Sequence, residues 1–127
     1  MSDLAGAAAD LQRPVTPADT ADSLGSGDLP VLATPRLLAW LEAACVAAVH
    51  PLLAEGQTSV GTRADLRHEA PSVVGDQVSA SAAVLAVDGR LIRFAVAAHC
   101  ADRRIASGEL TRVVVDAARF LDSAERR

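Results

Sequence analysis

The sequence predicts an α+β fold in which one long helix packs on an antiparallel sheet of about five strands. Three observations support this prediction. Apolar residues follow a helical period over residues 33–51, the period changes to two from residue 59 onward, and Asp88-Gly89 is a strong two-residue hairpin signal. Because a sheet with one apolar face must bury that face, we expect the helix to cover it. The length of 127 residues is typical of one domain, which we assign to residues 1–127.

The helical pattern contains a carboxylate at a position where leucine is expected. Leu38, Glu42, Cys45 and Val49 are separated by four, three and four residues, so they share one helix face. An ionised carboxylate buried without a partner costs several kcal/mol. Glu42 must therefore be paired, protonated or used in chemistry.

The start of the helix has two interpretations. Thr34 followed by Pro35 is a favourable N-cap and first-turn pair, because the hydroxyl accepts an orphan backbone N–H and proline has none to lose. A helix N-terminus also suits an anion or a developing oxyanion. Both roles of Thr34 stay open, and Gly56 is the expected stop after the helix ends near Pro51.

The segments around the helix are weakly patterned. We expect a loose N-terminus over residues 1–10, a first strand near Leu11 to Val15 and a polar tail over residues 121–127. Asp, Ser, Gly, Thr and Pro dominate Thr16 to Pro30, which indicates a long loop. Long loops in compact domains often act as lids, although a plain surface loop is an equal alternative.

The strands are read from the two-residue period. One apolar face of the first segment after the helix contains Val60, Thr62, Ala64, Leu66 and His68, and Gly61 falls on the other face. Alone, an inward His68 would be interpreted as a core histidine bonded to a backbone carbonyl. Further strands are predicted over Gln77 to Val87, Leu91 to Cys100, and from Arg103 or Ile105 to Val115. Ser107-Gly108 in the last strand suggests a bulge or a close backbone approach.

Composition excludes several function classes. A net charge of -4 and only 2% aromatic residues argue against a nucleic-acid-binding face. No apolar run reaches the roughly 20 residues of a membrane span, and the N-terminus lacks a basic signal region, so we expect a cytoplasmic protein. Cys45 and Cys100 fit reduced thiols. No metal-ligand spacing and no phosphate loop is present, so no metal or cofactor is expected.

Four short segments carry a family resemblance. They are Val31 to Thr34, Leu41-Glu42 with Cys45, Thr58 to Thr62, and His68 with Ala70-Pro71. Together they resemble the hot dog-fold thioesterases related to fluoroacetyl-CoA thioesterase, over the chain from about Val15 to Phe120. In that family the catalytic Thr stands eight residues before the Glu and the His twenty-six after it, and this sequence has the same spacing.

The resemblance implies a fold, an activity and a site. It implies a hot dog-fold acyl-CoA thioesterase in which Thr34, Glu42 and His68 form the catalytic group and the Gly61 N–H lies near the thioester carbonyl. We expect Glu42 beside His68, acting as a base toward water or attacking directly, and Thr34 positioning the carbonyl or serving as nucleophile. Coenzyme A enters only as part of the substrate. A homodimer is expected, because pairing two open sheet edges removes unpaired backbone groups.

Two points limit what carries over, and two other functions compete. Ser23 to Asp28 lacks the phenylalanines of the fluoroacetyl-specific member, so fluoroacyl selectivity is not implied. The family also tends to have a His shortly after the Ser-Gly of the last strand, where this chain has Leu110, so any role of that His is absent. One or two arginines are candidates for binding coenzyme A phosphates, from the set Arg63, Arg67, Arg90, Arg93, Arg103 and Arg104. The alternatives are a non-catalytic acyl-CoA-binding hot dog protein and, less favoured, a hot dog hydratase or dehydratase. The latter resemble one another in an Asp and a His on the central helix, whereas this helix offers Glu42 and only a terminal His50.

Overall fold

The computed structural model describes residues 4–126, which form a five-stranded antiparallel sheet packed against one long helix. The helices are α1 (Ala21–Leu24), α2 (Thr34–Val49) and α3 (Ala117–Glu125), and the strands are β1 (Ala8–Pro14), β2 (Gln57–His68), β3 (Gln77–Asp88), β4 (Leu91–Cys100) and β5 (Arg103–Asp116). The predicted α+β layout is confirmed. No helix among the described residues is both long and apolar enough to cross a bilayer.

The sheet order is β1-β3-β4-β5-β2, so β1 and β2 are its edges. The predicted hairpin joins β3 to β4, but Asp88 pairs with Leu91, so its two turn residues are Gly89 and Arg90, one position later than predicted. Gly89 has a φ of 60°. A tight two-residue turn needs positive φ, which glycine adopts without steric cost. β2 hydrogen-bonds to β5 on one side, and its other side is an open edge of twelve residues.

The buried face of α2 overlaps most of the predicted face but leaves Leu38 and Glu42 at its border. Its buried residues are Leu37, Trp40, Leu41, Ala44, Cys45, Ala48 and Val49. This face packs mainly on β1 and β3. Leu38 is therefore only half-buried, and the Glu42 side chain, 42% exposed, lies at the border of the apolar face instead of inside it. The prediction of a desolvated Glu42 is wrong, because the helix leans toward one side of the sheet.

A bulge in β2 changes which residues face the helix. Gly61 pairs with Arg112 and Arg63 pairs with Thr111, which leaves Thr62 as an extra residue. The two-residue alternation shifts by one at this point. Gly61 and His68, predicted on opposite faces, therefore both face α2, and the predicted face of Gly61 is wrong.

The chain ends and the long loop contain more structure than predicted. β1 begins at Ala8 instead of near Leu11, and Leu4 is buried, so residues 4–10 are not a loose start. Residues 121–125 belong to α3 instead of a polar tail. The loop of residues 16–30 contains a 3-10 turn and α1. Residues 1–3 and 127 lie outside the described part of the chain.

Gly108 confirms the predicted close approach between backbones. A Cβ atom built at this position would collide with the carbonyl oxygen of Asp65 and the Cα of Leu66 in the neighbouring strand. β5 continues through Ser107-Gly108 without a register shift at that point. Glycine is thus required here by packing between strands.

Candidate active site

Thr34 and His68 form a direct contact at the start of α2. Thr34 is the first residue of the helix and Ala33 occupies the N-cap position, so the threonine hydroxyl does not cap the helix. Its Oγ1 instead lies 2.8 Å from Nδ1 of His68, the last residue of β2. The capping interpretation of Thr34 is wrong. The structure brings together two of the three residues that the resemblance assigns to catalysis.

This pair lies in the wall of a cavity of about 270 Å³. The loop of residues 16–30 contributes Ala21 and Ser26 to the lining, and the segment after β2 contributes Glu69 and Pro71. The loop thus forms part of the pocket wall beside His68. The position of the loop agrees with its interpretation as a lid, and the loop residues that line the cavity include no aromatic side chain.

Burial keeps His68 neutral at physiological pH. Desolvation lowers the pKa of His68 from its ordinary value of about 6.5, and the nearby backbone of Ala70 offsets part of this effect. A neutral imidazole has one acceptor nitrogen. With the proton on Nε2, Nδ1 accepts the hydrogen bond that the Thr34 hydroxyl donates. Nε2 is buried without a hydrogen-bond partner among the described residues.

Glu42 is paired with an arginine that the sequence reasoning missed. Its Oε2 lies 3.1 Å from Nη1 of Arg112, whose side chain is only 9% exposed. Arg112 also donates from Nε to the Ser59 hydroxyl and from Nη2 to the Ser59 carbonyl, both at 2.8 Å. The sequence of β5 contains a pattern that could have identified Arg112. Leu110, Arg112 and Val114 occupy alternate positions of the strand, and all three are buried. An arginine between inward apolar residues needs an acidic or carbonyl partner.

Gly61 lies directly against the Glu42 carboxylate. A Cβ built at Gly61 would be 2.6 Å from Oε2 of Glu42 and 3.5 Å from Nη1 of Arg112. The absence of a side chain therefore lets the carboxylate rest on the β2 backbone. This contact joins two of the predicted site residues.

The four predicted residues form two separate groups within one chain. Thr34 and Glu42 are eight residues apart on α2, a rise of about 12 Å at roughly 1.5 Å per residue. His68 contacts the Thr34 end, and Gly61 contacts the Glu42 end. The expectation that Glu42 lies beside the His68 of its own chain is wrong, because a straight helix keeps the two ends apart.

Cys45 lies three residues after Glu42 in α2, and its buried thiol is unreactive. Burial raises the pKa of its thiol to about 12, with Arg112 lowering it and Glu42 raising it to smaller extents. The thiol is therefore protonated at neutral pH and is a poor nucleophile. Among the residues described, no group of three or more His, Cys, Asp or Glu is placed to hold a metal ion.

Comparisons with known proteins identify the family of the chain. Residues 15–118 match the family described as fluoroacetyl-CoA-specific thioesterase. A curated relative, the fluoroacetyl-CoA thioesterase of Streptantibioticus cattleyicolor, is 34% identical over 90 residues, which cover 71% of this chain and 65% of the relative.

Solved structures extend the likeness to nearly the whole chain. A variant of the fluoroacetyl-CoA-specific thioesterase in complex with fluoroacetate and CoA is similar with a TM-score of 0.85 and 30% identity, over 91% of this chain and 98% of its own. A hot-dog-like protein from Thermanaerovibrio acidaminovorans has a TM-score of 0.88 and 25% identity, over 97% and 91% of the two chains. The predicted hot dog fold is confirmed.

Proposed function

Because the chain belongs to the family of fluoroacetyl-CoA-specific thioesterases, we propose that it hydrolyses an acyl-CoA thioester to a carboxylate and free coenzyme A. The observation that carries the proposal is the 2.8 Å contact between the Thr34 hydroxyl and Nδ1 of His68 in the wall of a cavity. A hydroxyl hydrogen-bonded to a neutral imidazole is the arrangement that acyl transfer uses to move a proton.

Each group of residues supplies a part of the reaction. Thr34 either orients the thioester carbonyl or attacks it, and His68 receives the proton that the hydroxyl or a water loses. Glu42 acts as the base toward water or attacks the carbonyl carbon itself. Attack gives a tetrahedral oxyanion, which needs N–H donors such as that of Gly61. Collapse of the oxyanion breaks the C–S bond, and the leaving thiolate takes up a proton. Attack by water gives the carboxylate directly, whereas attack by Thr34 or Glu42 leaves an ester or anhydride on the protein that water then hydrolyses to the carboxylate.

The separation of the two groups supports a site that is shared between two copies of the chain. One thioester carbonyl cannot contact both ends of α2 at a distance of about 12 Å. We therefore propose a homodimer in which the open edges of β2 pair antiparallel and form one continuous sheet. With the pairing centred on β2, the partner's His68 lies nearer to Gly61 than the chain's own His68 does. The Glu42 of one copy then serves the Thr34 and His68 of the other.

Hydrolysis is tested by incubating the purified protein with a panel of acyl-CoAs and following thiol release. We expect turnover with short acyl groups and a loss of roughly 10²-fold or more in Glu42→Gln, the usual scale for a lost general base. Glu109→Gln is the matched control, because Glu109 is an exposed carboxylate on β5. Parental turnover in Glu42→Gln, or no thiol release by the parent protein with any acyl-CoA, would contradict the proposal.

The shared site is tested by mixing two inactive variants. Glu42→Gln and His68→Ala each damage both sites of their own homodimer, but a mixed dimer contains one site with an intact Glu42 and an intact His68. Random reassortment should restore about a quarter of the parental activity. No recovery after exchange of subunits, or a stable monomer by light scattering at micromolar concentration, would rule out this dimer. A cytoplasmic location stays a prediction, and the free thiols of Cys45 and Cys100 are in keeping with it.

A further inference from the structure

Two neighbouring arginines lie at the rim of the Thr34–His68 cavity. Arg103 donates from Nη2 to the carbonyl of Pro71 at 2.8 Å, and Nη2 of Arg104 is 3.7 Å from Oε1 of Glu69. Glu69 and Pro71 both line the cavity. The first residues of β5 therefore place two guanidinium groups along one edge of the candidate site.

The other four arginines considered for phosphate binding lie elsewhere. Arg63 and Arg93 line pockets that contain neither Thr34 nor His68. Arg67 precedes His68 in β2, so its side chain is on the opposite face of the sheet. Arg90 donates to the carbonyl of Val114, which pairs with Ser59 at the other end of the sheet.

We propose that Arg103 and Arg104 bind the phosphate groups of the pantetheine-bearing substrate, an inference that rests on the proposed thioesterase activity. Each guanidinium has five N–H donors, and the contact to Pro71 uses only one of those of Arg103. The pair between Arg104 and Glu69 is long and exposed, so it competes weakly with a phosphate. Both guanidinium groups therefore have N–H donors that are available to bind a phosphate dianion.

The register of the sheet places Arg104 near the His68 end of the candidate site. Ala106 is the residue opposite His68 in the sheet. Arg104 lies two positions before Ala106 in β5, so their Cα atoms are about 7 Å apart. A pantetheine arm connects a thioester held at Thr34 and His68 to phosphates outside the cavity. In a chain with a net charge of -4, two adjacent arginines at the rim give the local positive field that such a substrate needs.

The test compares three thioesters with decreasing numbers of phosphates: acetyl-CoA, which also contains the adenosine group, acetyl-phosphopantetheine and acetyl-pantetheine. The double variant Arg103→Gln/Arg104→Gln should raise the KM for acetyl-CoA about 10-fold, with an unchanged kcat, because charged hydrogen bonds to phosphate are lost. The KM for acetyl-pantetheine should stay within about twofold, since this substrate has no phosphate. Arg93→Gln/Arg119→Gln removes the same charge at two exposed positions away from the cavity and from the proposed dimer edge, and should change none of these values.

The outcomes separate this inference from the proposed activity. Equal rises in KM for all three thioesters would mean that the arginines only support the pocket, and an equal effect of the control pair would mean that net charge alone acts. Either result, or no change for acetyl-CoA, overturns the phosphate site. A rise for acetyl-phosphopantetheine as large as that for acetyl-CoA assigns the site to the phosphate next to pantetheine. If the parent protein hydrolyses none of the three, calorimetric binding of free CoA, lost only in Arg103→Gln/Arg104→Gln, still supports the site.

Discussion

Gly61→Ala adds one methyl group and tests whether activity requires the Glu42 carboxylate to lie against the β2 backbone. The new Cβ would stand 2.6 Å from Oε2 of Glu42, whereas ordinary contact begins near 3.4 Å, so the oxygen must retreat by about 0.8 Å. Glu42 is half-exposed and its end is flexible, so the side chain can give way. The carboxylate would then leave its position on the β2 backbone.

The expected result is a large loss of activity at almost constant stability. A displacement of about 1 Å in a catalytic group costs on the order of 10²-fold, so kcat/KM for acetyl-CoA should fall by about that factor. Replacing glycine by alanine in a strand raises the unfolding free energy by roughly 0.5–1 kcal/mol. Stretching the half-exposed ion pair between Glu42 and Arg112 lowers it by about the same amount. The unfolding free energy should therefore stay within about 1 kcal/mol, or about 4 °C in Tm.

Gly108→Ala is the contrasting substitution for this test. Its Cβ meets the backbone at Asp65 and Leu66, which has no flexible end, so the protein should lose about 2–3 kcal/mol or more. Thiol release and thermal unfolding by circular dichroism measure both variants. Parental activity in Gly61→Ala would show that Glu42 works from another position, and unfolding of Gly61→Ala would show that the carboxylate cannot move.

Three further predictions follow from the electrostatics and the pocket wall. Because burial lowers the pKa of His68, kcat/KM should be flat through pH 7–8 and fall only as the pH drops below about 6.5, where His68 becomes protonated and no longer accepts from Thr34. A pH profile with its midpoint above 6.5 would contradict this. Arg112→Gln removes the partner of Glu42 and should lower both activity and the unfolding free energy, the latter by about 1–3 kcal/mol in denaturant titration, whereas Arg93→Gln should change neither. The segment Ser23 to Asp28 has no aromatic residue, so kcat/KM for acetyl-CoA and fluoroacetyl-CoA should be similar, and a strong fluoroacetyl preference would refute this view of the wall.

Local patterns were sufficient to predict most elements of the fold. The helix, the hairpin between β3 and β4 and the close approach at Gly108 each depend on residues that are near in sequence. The short α1 was missed because a single turn gives no periodic signal. α3 does contain such a signal, since Ala117, Phe120, Leu121 and Ala124 share one helix face, and the expectation of a polar tail overlooked it. β1 was placed too late for a similar reason, since its alanines at residues 8 and 9 have no strand preference of their own.

The arrangement of the predicted site residues could not be read from the sequence. Two tertiary features decide that arrangement, the lean of α2 toward β1 and β3 and the extra residue Thr62 in β2. The first moves Glu42 to the border of the buried face, where Arg112 reaches it, and the second turns Gly61 toward the same carboxylate. The helical period of apolar residues does not show toward which strands a helix is tilted. At a bulge, the residues that face inward change from even to odd positions or the reverse, and the composition of the strand does not show this. This arrangement has a chemical consequence, because Glu42 and His68 lie toward opposite ends of one helix. The proposed mechanism therefore depends on the proposed homodimer, in which a second copy brings its own His68 to the open edge of β2.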